Sequence, residues 1–305
     1  MTAILRAGVV GAGVFGGHHA ARYAELAGVA LAAVLDTHPD RARALAERHG
    51  GEAFDDLGAF LAAVDVVSVA SPAVSHGRVA LAALRAGKCV YVEKPIATTL
   101  EDADAIVAEA AGRGLVAACG FLERAAFQAI GLFDAPGPPI RLEAARLGPP
   151  SARNLDVSVV LDLMIHDLDL ALALTAAAPL AVEAEGACIA NRRLDTVEAE
   201  ITFEDGFTAR ARASRAAQGR ERTLRLIWPE GDLTIDFLAN TFENTTPFAF
   251  DAGFAAVPAA RDRLGTSLAR FIAAVRGDAP APMASAADGL RALDLALAVE
   301  QAVGG

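Results

Sequence analysis

Two short segments carry side chains suited to proton transfer. Gly87-Lys-Cys-Val-Tyr-Val-Glu93-Lys94-Pro95 sets a lysine at the end of an apolar, strand-like run, beside a proline that fixes the local backbone. A Glu–Lys pair on a loop is usually solvated charge. At the carboxyl end of a parallel strand, however, the same lysine points into the crevice where open α/β sheets bind their ligands. In Asp162-Leu-Met-Ile-His166-Asp167-Leu-Asp169, Asp162 and His166 are i and i+4 neighbours if the segment is helical, with Asp169 further along the same face. A histidine near a helix N-terminus is favoured in its neutral, base-competent form. The alternatives are a structural carboxylate–histidine bond, or Asp162 acting as a cap. No third ligand has a clear spacing, so no metal is expected.

A third segment, Ala7-Gly-Val-Val-Gly11-Ala-Gly13-Val14-Phe15-Gly16, fits a dinucleotide. An apolar run leads into G-x-G-x-x-G, a helical stretch follows, and a second apolar run ends in Asp36, about twenty residues past the last glycine. Gly11 allows the tight turn, Gly13 lets the backbone approach a pyrophosphate, and Gly16 lets the helix lie close to the sheet. The helix N-terminus, with Val14 and Phe15 in the loop, offers free N–H groups and a positive dipole end. Asp36 suits the adenosine ribose hydroxyls and repels a 2′-phosphate, so NAD is expected over NADP; Arg41 and Arg43 keep the second open. Val69-Ala-Ser71-Pro72-Ala-Val-Ser-His76 falls at another strand end. Ser71, Pro72 and His76 are candidates to touch the cofactor. The competing reading has Ser71 capping a helix and His76 exposed in its first turn.

These groups need a scaffold. Residues 1–120 alternate strand and helix, the pattern of a doubly wound parallel sheet. Strands are expected at 4–10, 29–35, near 53, 65–70, 88–92 and 115–119. Residues 121–305 read as an α+β domain: a strand over 139–147, a helix over 162–176, and β-type runs between 180 and 237 with turns at Glu204-Asp-Gly206 and Pro229-Glu-Gly231. That sheet is expected to be largely antiparallel. Residues 240–260 read as a long loop, before helices over 262–276 and 286–302, the last of which is able to pack back on the first domain.

The 305 residues suit two domains. A formal net charge of −11 and a pI near 5.0 exclude a nucleic-acid binder, which needs a basic face. Mean hydropathy is +0.37, raised by alanine, yet no uninterrupted apolar run is long enough to span a bilayer. The start lacks the basic region of a signal peptide. Cys89, Cys119 and Cys188 show neither metal nor disulfide spacing and are expected as reduced thiols in a cytoplasmic protein.

Taken together, the Gly11/Gly13/Gly16 loop, the Ser71-Pro72 turn with His76, the Glu93-Lys94-Pro95 triplet and the Asp162-x-x-x-His166 segment resemble the Gfo/Idh/MocA oxidoreductases along essentially the whole chain. The resemblance implies NAD(P)-dependent oxidation or reduction at a sugar or cyclitol hydroxyl carbon. It implies Lys94 and His166 flanking the reacting hydroxyl, Asp162 orienting substrate or histidine, and Glu93 near the nicotinamide ribose. The stretch Asp156-Val-Ser-Val-Val-Leu161 departs from the glycine-rich segment common there. Residues 156–169 are similar to a branch of the family that oxidises UDP-N-acetylglucosamine at C3, which implies a nucleotide-sugar substrate and a place in lipid A or surface-glycan synthesis.

A nucleotide sugar needs cations for its diphosphate. Arg124, Arg141, Arg146 and Arg153 fall between the two proton-transfer segments, and Arg146-Leu-Gly-Pro-Pro-Ser151-Ala-Arg153 is a proline-constrained loop. Arg124, Arg146, Ser151 and Arg153 are therefore the expected substrate contacts, against ordinary surface arginine. A free-sugar, inositol-type or biliverdin-reductase-like enzyme, and a non-catalytic NAD-binding regulator, are the competing functions. A one-sided sheet has a face to cover, so a homodimer or homotetramer through the C-terminal sheet is expected.

Overall fold

The computed structural model describes residues 3–150, 157–189, 192–239 and 241–304. From the N-terminus it runs β1 (Leu5–Val10), α1 (Val14–Glu25), β2 (Val29–Leu35), α2 (Pro39–His49), β3 (Glu52–Phe54), α3 (Leu57–Ala63), β4 (Val66–Val69), α4 (His76–Arg85), β5 (Cys89–Val92), α5 (Leu100–Arg113) and β6 (Ala117–Cys119). It continues through α6 (Glu123–Ile130), β7 (Arg141–Leu147), α7 (Ile165–Leu174), β8 (Pro179–Ala187), β9 (Thr196–Phe203), β10 (Thr208–Ser214), β11 (Glu221–Trp228), β12 (Gly231–Asp236), β13 (Thr241–Asn244), α8 (Pro258–Arg261), α9 (Arg263–Arg276) and α10 (Ala286–Gly304).

The chain divides into two compact units, Met1–Ala125 with Asp262–Leu290, and Ala126–Arg261 with Arg291–Gly305. The first holds a six-stranded sheet ordered β3-β2-β1-β4-β5-β6, every pair parallel. This is the doubly wound arrangement, and its order reverses between β1 and β4, where such sheets open a ligand crevice. Both faces are covered, so Ala7–Val10 of β1 and all of β4 are buried continuously rather than at alternate residues.

Residues 262–290, expected with the second half, belong to this first unit. The reason is the apolar stripe of α9. Leu264, Leu268, Phe271 and Ile272 recur at helical spacing and join a core with Ala20, Tyr23 and Tyr91. Each such side chain contributes about 2 kcal/mol on burial. The phenol of Tyr91 lies 2.9 Å from Ser267 Oγ, which ties α9 to β5.

The second unit holds a seven-stranded sheet ordered β13-β12-β11-β7-β10-β9-β8. It is antiparallel except between β7 and β10, which run parallel in the middle. The expected long loop at 240–260 contains an edge strand: β13 pairs Thr241 with Asp236 and Asn244 with Leu233. An Asn-, Thr-, Phe- and Pro-rich setting hid a short strand that needs only one neighbour. One sheet face carries a cross-strand lattice of charge, including Arg141–Glu200 at 3.5 Å, Arg225–Asp232 at 2.7 Å and Arg212–Glu221 at 3.3 Å. Among the described residues no helix is long and apolar enough to cross a membrane.

Candidate active site

In the first unit the glycine loop closes on backbone atoms. Gly11 donates its N–H to Leu35 O at 2.8 Å and has φ +98°, a conformation that L side chains rarely adopt. A Cβ on Gly16 would lie 1.7 Å from the Gly11 carbonyl oxygen, whereas one on Gly13 would meet nothing within 4 Å. Helix and strand therefore pack as closely as the backbone permits, and open space remains at Gly13. Gly13 is also the N-cap of α1 and has no side chain to occupy the first-turn N–H groups. These features fit a pyrophosphate. Val14 and Phe15 stand exposed beside them.

Asp36, at the end of β2, braces this loop. Its Oδ2 accepts the Ala12 N–H at 2.6 Å, and its Oδ1 accepts the His38 N–H at 2.8 Å. Burial raises its pKa, but the two N–H donors and the nearby His38 ring outweigh it and hold the carboxyl below the usual carboxylate range. The anionic acceptor expected for a ribose is thus present, and it also shapes the turn that would receive the phosphates.

Ser71 and Pro72 lie at the end of β4, against Gly11: a Cβ there would come within 2.6 Å of Ser71 N. Ser71 Oγ is 2.6 Å from Ser75 Oγ rather than on a helix N–H. His76 is not exposed in the first turn of α4; it is 2 % exposed. Its Nδ1 faces Pro95 O at 2.7 Å and its Nε2 faces Ser71 O at 2.8 Å. Burial pushes its pKa down, against the pull of the two carbonyls and Glu93. His76 thereby bridges the β4 and β5 loops, one of which carries Lys94. Glu93 is buried and Lys94 half-buried, and the Lys94–Pro95 peptide is cis.

His19 was missed by reasoning from motifs. It lies fully buried on α1, with its Nε2 2.9 Å from Glu93 Oε1. The available signal was a histidine three residues after Gly16, on the helix face shared with Ala20 and Tyr23.

In the second unit, the expected α-helix over 162–176 starts earlier and with a wider turn. Val160–Met164 form one π-helical turn, closed by Ile165 N–H on Val160 O, before α7 begins. Asp162 lies within this turn and His166 in the first turn of α7; Asp162 is buried and His166 half-buried. Such turns shift side-chain register and recur at functional sites. Ser158 holds the start, accepting the Leu161 N–H at 3.2 Å and donating its hydroxyl to Glu300.

The expected substrate arginines are engaged inside the protein. Arg146 is buried, with Nε 2.8 Å from both carboxylate oxygens of Asp167, which pins α7 to β7. Arg124 sits in the first unit, 3.3 Å from Asp288 Oδ1 and 3.3 Å from Met283 O. Sequence spacing does not show which carboxylates face them. Ser151 and Arg153 lie outside the described residues. A second buried pair, Arg215–Asp195 at 2.8 Å, secures Val157 and Ile189, whose backbone groups bond to Arg215 and Asp195. An open depression of 490 Å³ on this unit is lined by Leu147, Glu185, Thr196, Glu198, Arg212 and Ser214, none of them a nominated residue.

Comparison with known proteins agrees with this geometry. Residues 5–121 match the NAD-binding Rossmann fold of the Gfo/Idh/MocA oxidoreductase family, and residues 137–234 match the C-terminal domain of that family. Along 98 % of its length the chain is 36 % identical to the UDP-N-acetylglucosamine 3-dehydrogenase of Acidithiobacillus ferrooxidans, covering 97 % of that protein. The chain belongs to the Gfo/Idh/MocA family. It is an oxidoreductase with an NAD-binding domain at its N-terminus. The crystal structure of the Acidithiobacillus enzyme superimposes on this family member with a TM-score of 0.90, covering 99 % of this chain and 98 % of the other. The myo-inositol 2-dehydrogenase of Thermotoga maritima is 27 % identical over 98 % of the chain and 96 % of its own length. The fold is shared with the WlbA dehydrogenase of Bordetella pertussis, solved with NADH and UDP-GlcNAcA, at 20 % identity and a TM-score of 0.90, covering 100 % of this chain and 96 % of that one.

Proposed function

We propose that this oxidoreductase oxidises C3 of UDP-N-acetylglucosamine to the 3-keto sugar nucleotide, with NAD as the partner. The observation that carries the substrate is the end-to-end relationship, at 36 % identity, to an enzyme named for that reaction. When bound, the oxidised nicotinamide supplies the acceptor for the hydride that leaves C3. The protein must take the hydroxyl proton and steady the oxygen as charge develops. The groups nominated for this are Nζ of Lys94 at the end of β5 and the imidazole of His166 at the start of α7, with Asp162 to orient substrate or imidazole. Glu93 and the Ser71–His76 bridge hold the Lys94 segment. Gly11, Gly13, Val14, Phe15, Gly16 and Asp36 form the dinucleotide cradle. Arg124, Arg146, Ser151 and Arg153 are the nominated diphosphate contacts, the first two also engaged by carboxylates.

Purified protein given NAD+ and UDP-N-acetylglucosamine should produce NADH. Lys94→Met should lower kcat about 10³-fold with NADH affinity nearly unchanged. Turnover on myo-inositol but none on the nucleotide sugar would establish the second reading, cyclitol oxidation, which the Thermotoga relative favours. Cofactor binding without turnover on either would make the chain a regulator. A cytoplasmic location and a homodimer or homotetramer built on the charged face of the C-terminal sheet complete this reading; light scattering in solution tests the assembly.

A further inference from the structure

Behind the glycine loop, a line of polar side chains crosses the core of the first unit and ends beside Lys94. His19 and Tyr23 project from one face of α1, and both are fully buried. Tyr23 Oη lies 2.8 Å from Ser68 Oγ on β4. Ser68 Oγ lies 3.0 Å from His19 Nδ1, and His19 Nε2 lies 2.9 Å from Glu93 Oε1. The Glu93 carboxylate rests over Gly120, where a Cβ would come within 2.9 Å of Oε2.

Hydrogen-bond accounting gives this line a direction. A carboxylate only accepts, so Nε2–H donates to Glu93. Nδ1 then accepts the Ser68 hydroxyl, and Ser68 Oγ accepts the Tyr23 hydroxyl. Burial pushes the Tyr23 phenol up, which keeps it a donor. One orientation satisfies every member, the condition under which a buried network is rigid. The network ends on the residue whose backbone carries Lys94. Glu93 N–H also bonds Val69 O at 2.9 Å, and His76 holds Pro95 O from the other side.

We propose that His19 is a positioning residue of the reaction: through Glu93 it fixes the backbone bearing Lys94 relative to the helix whose N-terminus receives the dinucleotide. This rests on the reading of Lys94 as an acid–base group. His19→Phe fills the same space without a donor. His19→Asn keeps a polar group against Ser68 but falls short of Glu93. His19→Gln carries an amide N–H far enough to reach the carboxylate.

The readouts are steady-state kinetics, NADH affinity by fluorescence, and hydrogen exchange of the peptide spanning Glu93–Ala97 in the protein without cofactor. His19→Phe and His19→Asn should lower kcat at least about tenfold with KM little changed. NADH affinity should stay within about threefold, while exchange at 93–97 quickens by at least about tenfold. His19→Gln should recover most of both effects. Wild-type kcat and exchange in His19→Phe or His19→Asn, or losses that His19→Gln does not recover, overturn the proposal. Lys94→Met run in parallel separates the two readings. Full turnover in Lys94→Met sinks the role of Lys94. An inactive Lys94→Met beside an unaffected His19→Asn sinks only the role of His19.

Discussion

The two units hold their candidate groups by different physical means. In the first, Gly11, Gly13 and Gly16 work through the side chains they lack, and Glu93 is fixed by a hydrogen bond from buried His19. In the second, the segment bearing Asp162 and His166 is held by full charges, Arg146 on Asp167 and Arg215 on both Asp195 and the Val157 carbonyl, with all four charged side chains buried. Close backbone packing tolerates no added atom. A buried ion pair tolerates joint replacement but not the loss of one partner. The same kind of task therefore fails in different ways in the two units.

The largest effect should come from Gly16→Ala. The added methyl falls 1.7 Å from the Gly11 carbonyl, so α1 must move off the sheet. Titration with NADH should show no saturable binding. Near-normal affinity would mean that the loop is more yielding than its packing indicates.

Arg146→Met should come next. It takes the arginine partner from buried Asp167, at a cost of about 3–5 kcal/mol in unfolding free energy. The double replacement Arg146→Met/Asp167→Leu should regain most of that in the same denaturation experiment. A rise in KM for the nucleotide sugar with unchanged stability would return Arg146 to the phosphate.

The smallest effect concerns Asp36. Its folded pKa lies below the ordinary value, so its contribution is complete above that value and is lost as pH falls through the folded one. Asp36 should contribute in full between pH 7 and pH 5, so thermal stability should show no pH dependence from it there. Stability should fall below about pH 4, with a shallower fall in Asp36→Asn.

This contrast also explains what could be read from the sequence. Backbone constraints leave a direct trace, because only glycine fits Gly11 and Gly16, and a strand–loop–helix order surrounds them. Continuous apolar runs revealed the parallel sheet. Ion pairs leave no comparable trace: Arg146 and Arg124 show positive charge but not the Asp167 and Asp288 that receive it. The π-helical turn at Asp162 depends on tertiary packing around Ser158 and Glu300. β13 looked like a loop because an edge strand can be short and polar. His19 carried a faint signal, a histidine on an otherwise apolar helix face, that only its partners make legible.

The place of α9 in the first unit has a consequence for synthesis. All six strands of that unit have been made once the ribosome passes Cys119, yet Leu264, Leu268, Phe271 and Ile272, which complete its core, come much later. At ordinary elongation rates that interval is roughly ten to thirty seconds. Throughout it, the nascent domain presents an uncovered apolar surface around Tyr23 and Tyr91, so the cell must shield a nearly finished dinucleotide fold until its last wall arrives.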